Sequence, residues 1–104
     1  MLFLIVARGR DTEEARSKKA ELGPRQGELV RGWATEGMMK FAGNLVGESN
    51  ASGSLAIVEF EGREALDRWL KEHPYQVHGV WSGYEVWEIQ TGPIFSGTFP
   101  RRYG

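Results

Sequence analysis

"SLAIVEFEGREALDRWL", residues 54–70, passes from a strand pattern to a helix pattern within a few positions. Leu55 to Phe60 carries β-branched Ile57 and Val58 at its centre, which suits a packed, pleated strand. Along it Leu55 and Ile57 point to one face, and Ala56, Val58 and Phe60 to the other. A sheet with one face in water alternates apolar with polar residues, so this strand expects apolar neighbours on both sides. From Gly62 to about Glu72 the period lengthens, and Leu66, Trp69 and Leu70 make a core-facing helical stripe.

Upstream, Leu2 to Ala7 is a continuous apolar run closed by Gly9, the pattern of a first strand buried on both faces. Asp11 and Thr12 then offer an N-cap, and Glu13 and Glu14 place negative charge in the first turn of a helix, where the dipole favours it. Gly23-Pro24 predicts a kink or a fresh helical start, because proline lacks the backbone donor and restricts the residue before it. Leu22, Leu29, Val30 and Trp33 share a helical face, and Gly37 is a natural stop. Met38 to Val46 reads as the second strand. The segment Gly47 to Gly53 is dense in turn formers and reads as a hairpin connection. Tyr84 to Ile89 is the fourth strand.

The order is therefore β-α-β-β-α-β, an α+β ferredoxin-like arrangement with an antiparallel four-stranded sheet. Two helices cover one face of such a sheet. Since both faces are apolar, the second face predicts a homodimer packed sheet to sheet. Residues 1–90 read as one ferredoxin-like domain and residues 91–104 as a C-terminal extension. The extension carries Phe95, Phe99 and Tyr103, and two readings stay open: packing, in the extreme across the dimer, or a frayed terminus.

Composition narrows the function. The chain has 104 residues, 13 basic against 14 acidic side chains and a formal charge of -1, so no basic excess points to nucleic acid or to an anionic membrane. Cysteine is absent, which removes disulfides, thiolate metal sites and a cysteine nucleophile. The apolar start is far shorter than the ~20 residues of a membrane span and has no basic flank, so the chain reads as cytoplasmic. Asn50-Ala51-Ser52 fits a glycosylation pattern only by chance in that setting.

The stretch "EHPYQVHGVW", residues 72–81, holds both histidines, His73 and His78, around Pro74. Metal-binding helices bring two imidazoles together at i, i+4, and this spacing does not, so no metal is expected. His78 reads as turn structure. His73 has two readings: a helix-end residue whose partial charge suits the dipole, or a group in a functional cleft. Trp33 and Trp69 lie on core stripes. Trp81 follows the turn, at the mouth of any cleft, and Tyr75 stands beside His73. No serine triad or phosphate-binding glycine motif is present, and no cofactor is implied.

The stretch from Glu36 to Ile89 resembles the YCII-related (YciI-like) family. The likeness rests on Ala42-Gly43-x-Leu45, "GSLAIVE", Ala65 with Trp69-Leu70, "HPYxxxGV" and the closing Glu85-Val86. It implies a dimeric α/β barrel of ferredoxin-like subunits over roughly residues 1 to 90. The family's proposed site pairs a histidine on the first long helix with an aspartate in an Asp-Pro-Tyr/Phe turn. Those positions fall on Gln26 and His73, so both partners differ here. The resemblance then suggests His73 as acid-base group, Gln26 as its orienter, Tyr75 and Trp81 as substrate-facing aromatics, and Arg25 as a contact for an anionic substrate. Glu28 is a poor replacement carboxylate, since two residues along a helix point about 200° apart. The expected function is cofactor-free acid-base chemistry on a small cyclic or aromatic molecule. The rival is a non-catalytic binding or sensing module that has lost the dyad.

Overall fold

The computed structural model describes residues 1–47 and 53–103. The elements run β1 (Leu2–Gly9), α1 (Glu13–Thr35), β2 (Met39–Leu45), β3 (Gly53–Glu59), α2 (Arg63–Glu72), α3 (Pro74–Val77) and β4 (Trp81–Ile89), followed by a 3-10 turn at Pro93–Phe95. The four strands form one sheet in the order β2-β3-β1-β4, each pair antiparallel. This is the ferredoxin-like α+β fold expected from the sequence. Of the predicted hairpin connection from Gly47 to Gly53, residues 48–52, with Asn50-Ala51-Ser52, lie outside the described residues, and Gly53 opens β3.

Local chemistry sets the boundaries. The Thr12 side chain accepts from the Ala15 backbone N–H at 3.1 Å and so caps α1. At the other end Gly37 has φ +85°, with Gly37 N–H donating to Ala34 O and Met38 N–H to Trp33 O, both at 3.1 Å. That is a Schellman closure, and it requires a residue at ease in the left-handed region. Gly53 is needed for another reason: a Cβ there would lie 2.5 Å from the Ala7 carbonyl oxygen. Only glycine lets β3 approach β1 so closely at that point.

Three expectations need correction. α1 does not restart at Gly23-Pro24; it is one helix of 23 residues with Pro24 inside it. Pro24 and Ala20 are both exposed, so water can satisfy the carbonyl that proline leaves without a donor. β4 begins at Trp81, three residues before Tyr84, so Trp81 is the first residue of a strand. And the segment after His73 is no simple turn: Pro74 opens the short helix α3, a position where its fixed φ and missing N–H cost nothing.

The core lies between the helices and one sheet face. Phe3, Ile5 and Ala7 of β1, Val58 of β3, and Leu66 and Leu70 of α2 are all buried there, with Leu22, Val30 and Trp33 of α1 packed against them. The opposite face carries Leu4, Val6, Leu55 and Ile57, half-buried, with Phe41 53% and Trp87 62% exposed. The register places Leu4 beside Ile57 and Trp87, and Phe41 beside Ile57, so these side chains form one continuous apolar surface.

The end of the chain reaches this same face. Glu59 is fully buried, and its carboxylate accepts the backbone N–H groups of Arg102 at 2.6 Å and Tyr103 at 3.0 Å. Lys40, itself almost fully buried, pairs with it at 3.0 Å. Burial raises the Glu59 carboxyl, but the two N–H donors and the Lys40 ammonium outweigh it and bring its pKa down to about 2. No helix among the described residues is long and apolar enough to cross a membrane.

Candidate active site

The residue before a proline is pushed out of the helical region, so α2 must end where Pro74 begins. His73 does this with φ -61° and ψ 131°, serving at once as C-cap of α2 and N-cap of α3. Its carbonyl accepts from Gln76 and Val77, both at 2.9 Å. Its Nδ1 accepts the backbone N–H of Tyr75 at 3.2 Å. An imidazole thus plays the capping part that Asp or Asn takes in most helices.

After α3, Gly79 at φ +70° turns the chain into β4. Arg10 holds that turn, donating to the carbonyls of Gly79 at 3.1 Å and Trp81 at 3.4 Å. Trp81 is thereby set against His73, ring centroids 4.4 Å apart and planes 25° from parallel. Trp69 meets the imidazole edge-on at 5.3 Å, Trp33 lies 5.5 Å away and Tyr75 5.7 Å. His73 is 4% exposed, and burial among these rings lowers its pKa from 6.5 to about 4. It is therefore neutral at pH 7, so a charged imidazole answering the helix dipole is not what this position holds. Burial likewise pushes the Tyr75 phenol up.

The tautomer follows from the hydrogen bonds. A backbone N–H can only donate, so Nδ1 of the neutral ring carries the lone pair and Nε2 the proton. Nε2 lies 3.3 Å from the Gln26 carboxamide nitrogen, while Gln26 Oε1 is buried with no partner among the described residues. Two donors cannot bond each other. Nitrogen and oxygen of a carboxamide are interchangeable in shape, and turning the amide over lets Oε1 accept from His73 Nε2–H. The turned amide is the arrangement the chemistry requires.

A cavity of about 240 Å³ opens beside this pair. Gln26, His73, Tyr75 and Trp81 all line it, together with Trp69 and Val30 from the helices and Met39, Ala42, Asn44 and Ser54 from β2 and β3. The structure thus brings four of the five candidate residues to one cavity. Arg25 is not among them: it is exposed and pairs with Glu28 at 3.4 Å on the outer surface of α1. Of these neighbours on α1, Gln26 lines the cavity and Arg25 does not. His78 is exposed at the end of α3. Among the described residues no group of three or more His, Asp or Glu side chains could hold a metal ion.

Trp69 and the β2–β3 wall were not singled out from sequence as site residues. A helical stripe says which side of a helix is covered, not whether protein or a cavity lies opposite. For Gln26 a signal was present: Leu22, Gln26, Val30 and Trp33 follow helical spacing, so Gln26 is a polar residue set into an apolar stripe.

Residues 1–90 match the YCII-related domain, and the chain belongs to that family. Among solved structures it is similar to a 5-chloro-2-hydroxyhydroquinone dehydrochlorinase from Burkholderia phenoliruptrix, solved in complex with 2,5-dihydroxybenzoquinone. The two superpose with a TM-score of 0.75 at 17% identity, over 88% of this chain and 96% of that one, a likeness of fold. No curated protein sequence matches this chain.

Proposed function

We propose that this protein is a homodimeric, cofactor-free enzyme acting on a small cyclic or aromatic oxygenated molecule, with His73 as the acid-base group. The observation that carries the reading is the buried, neutral imidazole on the wall of an aromatic cavity, its tautomer fixed by the Tyr75 N–H and its Nε2 beside the Gln26 carboxamide. With Nδ1 committed to Tyr75, the working atom is Nε2. Its N–H, shared between Gln26 Oε1 and a ligand oxygen in the cavity, polarises that oxygen, a role in which low basicity is an advantage because the ring stays uncharged. The related dehydrochlorinase, which binds a dihydroxybenzoquinone, supports the class of ligand. The open apolar sheet face supports the dimer, since Phe41 and Trp87 are otherwise left in water.

The test replaces His73 by Asn, which retains an acceptor for the Tyr75 N–H and removes the imidazole. Wild-type protein is screened against hydroquinones, including chlorinated ones, and product is followed by chromatography. Conversion should fall at least about 100-fold in the variant. Undiminished conversion removes His73 from the mechanism. Sedimentation at micromolar concentration should show a dimer, and a monomer there sinks the assembly.

A second reading has its own support: both nitrogens of His73 are engaged within the protein, as in a built structural element. Binding of such molecules without any conversion would favour a binding or sensing module.

A further inference from the structure

The two strands that wall the cavity, β2 and β3, change character along their length. Their inward-facing cross-strand pairs run Met39–Val58, then Ala42–Ala56, then Asn44–Ser54. The first pair is buried in the core, the second is small and the third is polar. On the outward side the same stretch carries Phe41, Leu45, Leu55 and Ile57. A strand packed under helices is ordinarily apolar inward and polar outward, so the pattern is inverted at this end. Breaks of a local rule concentrate at functional sites, and asparagine is in any case depleted from strands. Asn44 is exposed and Ser54 half-buried, both line the cavity, and neither side chain has a hydrogen-bond partner among the described residues. Residues directly opposite on antiparallel strands hold their Cβ atoms about 4.5–5.5 Å apart, so the carboxamide and the hydroxyl can reach one ligand atom.

The aromatic end of the cavity lies across the sheet from this pair. His73 stacks on Trp81 at the start of β4, and β4 and β2 are the two edges of the sheet, with β1 and β3 between them. Three strand spacings, about 14 Å, separate the two ends, and the rings of Trp81 and His73 fill the near part. We infer that Asn44 and Ser54 form a second polar subsite, which takes a hydroxyl group on the ligand at the end away from His73. A hydroxyl both donates and accepts, and the Asn44 carboxamide and the Ser54 hydroxyl each offer both in return. The ligand class is then a ring with a polar group at each end. This rests on the cavity being a small-molecule site, and it adds two residues that decide which substituted ring is held. Size permits it, since an apolar cavity of ~150 Å³ already admits benzene and this one is about 240 Å³.

Two probes of nearly equal shape test it: 4-ethylphenol, and 4-(hydroxymethyl)phenol, which alone carries a polar group at each end. Affinities are measured by calorimetry for the wild type, Asn44→Ala, Ser54→Ala, the double variant and Ser54→Thr, and the readout is the ratio between the two probes. In the wild type the hydroxymethyl compound should bind about 5-fold tighter, the worth of one net hydrogen bond. Each alanine substitution should lower that ratio, and the double variant should abolish the preference. Ser54→Thr keeps the hydroxyl and should keep the ratio. A residue that merely shapes the wall would weaken both probes alike. Equal binding of the two probes by the wild type, or a preference that survives in the double variant, overturns the subsite and leaves the cavity as a small-molecule site. Failure of both probes to bind overturns the small-molecule site itself, and the subsite with it.

Discussion

The indole of Trp81 lies nearly flat on the imidazole of His73, with ring centroids 4.4 Å apart, and joins the start of β4 to the junction of α2 and α3. Trp81 is 7% exposed and its ring is one of the walls that keep water from His73. Trp81→Ala should therefore do two things. It should cost about 3–5 kcal/mol of stability, as removal of a buried tryptophan does, and it should let the His73 pKa climb from about 4 toward 6.5. Urea unfolding measures the first, and an NMR titration of the imidazole the second. A variant that unfolds more easily yet leaves the His73 titration where it was would assign the desolvation to Trp33 and Trp69 instead.

The same burial ties stability to pH. His73 titrates at about 4 when folded against 6.5 ordinarily, so the unfolded chain binds the proton first. Its contribution is fully present above pH 6.5 and is lost as pH falls toward 4. The shift corresponds to a loss on the order of 3 kcal/mol across that window. Unfolding free energies taken between pH 7 and pH 4.5 should fall in wild type and stay nearly level in His73→Asn. A wild-type protein of constant stability over that range would contradict a buried neutral imidazole.

Glu59 acts in a lower window. Its carboxyl sits at about 2 when folded against 4.5 ordinarily, so its stabilisation is present above pH 4.5 and is lost as pH falls toward 2. The carboxylate serves three partners at once, the Lys40 ammonium and the N–H groups of Arg102 and Tyr103. Glu59→Gln keeps the shape but leaves Lys40 buried without a counter-charge, which should cost about 3–5 kcal/mol. Hydrogen exchange at the Arg102 and Tyr103 amides reports the second consequence: both should exchange faster in the variant, whereas the Tyr75 amide, held by His73, should not. Slow exchange at residues 102 and 103 in Glu59→Gln would mean that other contacts hold the chain end.

Much of the fold was legible because periodicity carries it. Ile57 and Val58 pointing to opposite faces, and Leu66 to Leu70 on one helical stripe, sufficed for the ferredoxin-like order. What failed to read was three-dimensional. Trp81 sits among Val80, Ser82 and Gly83, where no alternation marks a strand, and only its pairing with Gly9 draws it into the sheet. Gln26 and His73 lie 47 residues apart, and no local pattern relates them; family resemblance brought them together, and packing of α1 on the α2–α3 junction shows the contact. Trp69 read as core and is core on one side. Its other side faces a cavity that exists only once β2 and β3 are in place.

Pro24 is the clearest conflict between local preference and tertiary structure, and it yields the last prediction. Mid-helix proline costs about 3 kcal/mol through its missing donor and its clash with the preceding turn, yet α1 runs unbroken from Glu13 to Thr35. What holds the two halves in line is burial of Leu22 below the proline and of Val30 and Trp33 above it against one core. Pro24→Ala should therefore release the cost without altering the helix, raising stability by about 1–3 kcal/mol, with part of the gain offset by a freer unfolded chain. Gly27→Ala and Gly32→Ala lie in the same helix, where an added methyl meets nothing within 4 Å, and each should add about 0.5–1 kcal/mol. Gly53→Ala is the control of opposite sign, because its Cβ would strike the Ala7 carbonyl. Thermal melts of the four variants decide it. A Pro24→Ala protein less stable than wild type would show that the core depends on a bend at that point, and that α1 does not run on as a single regular helix.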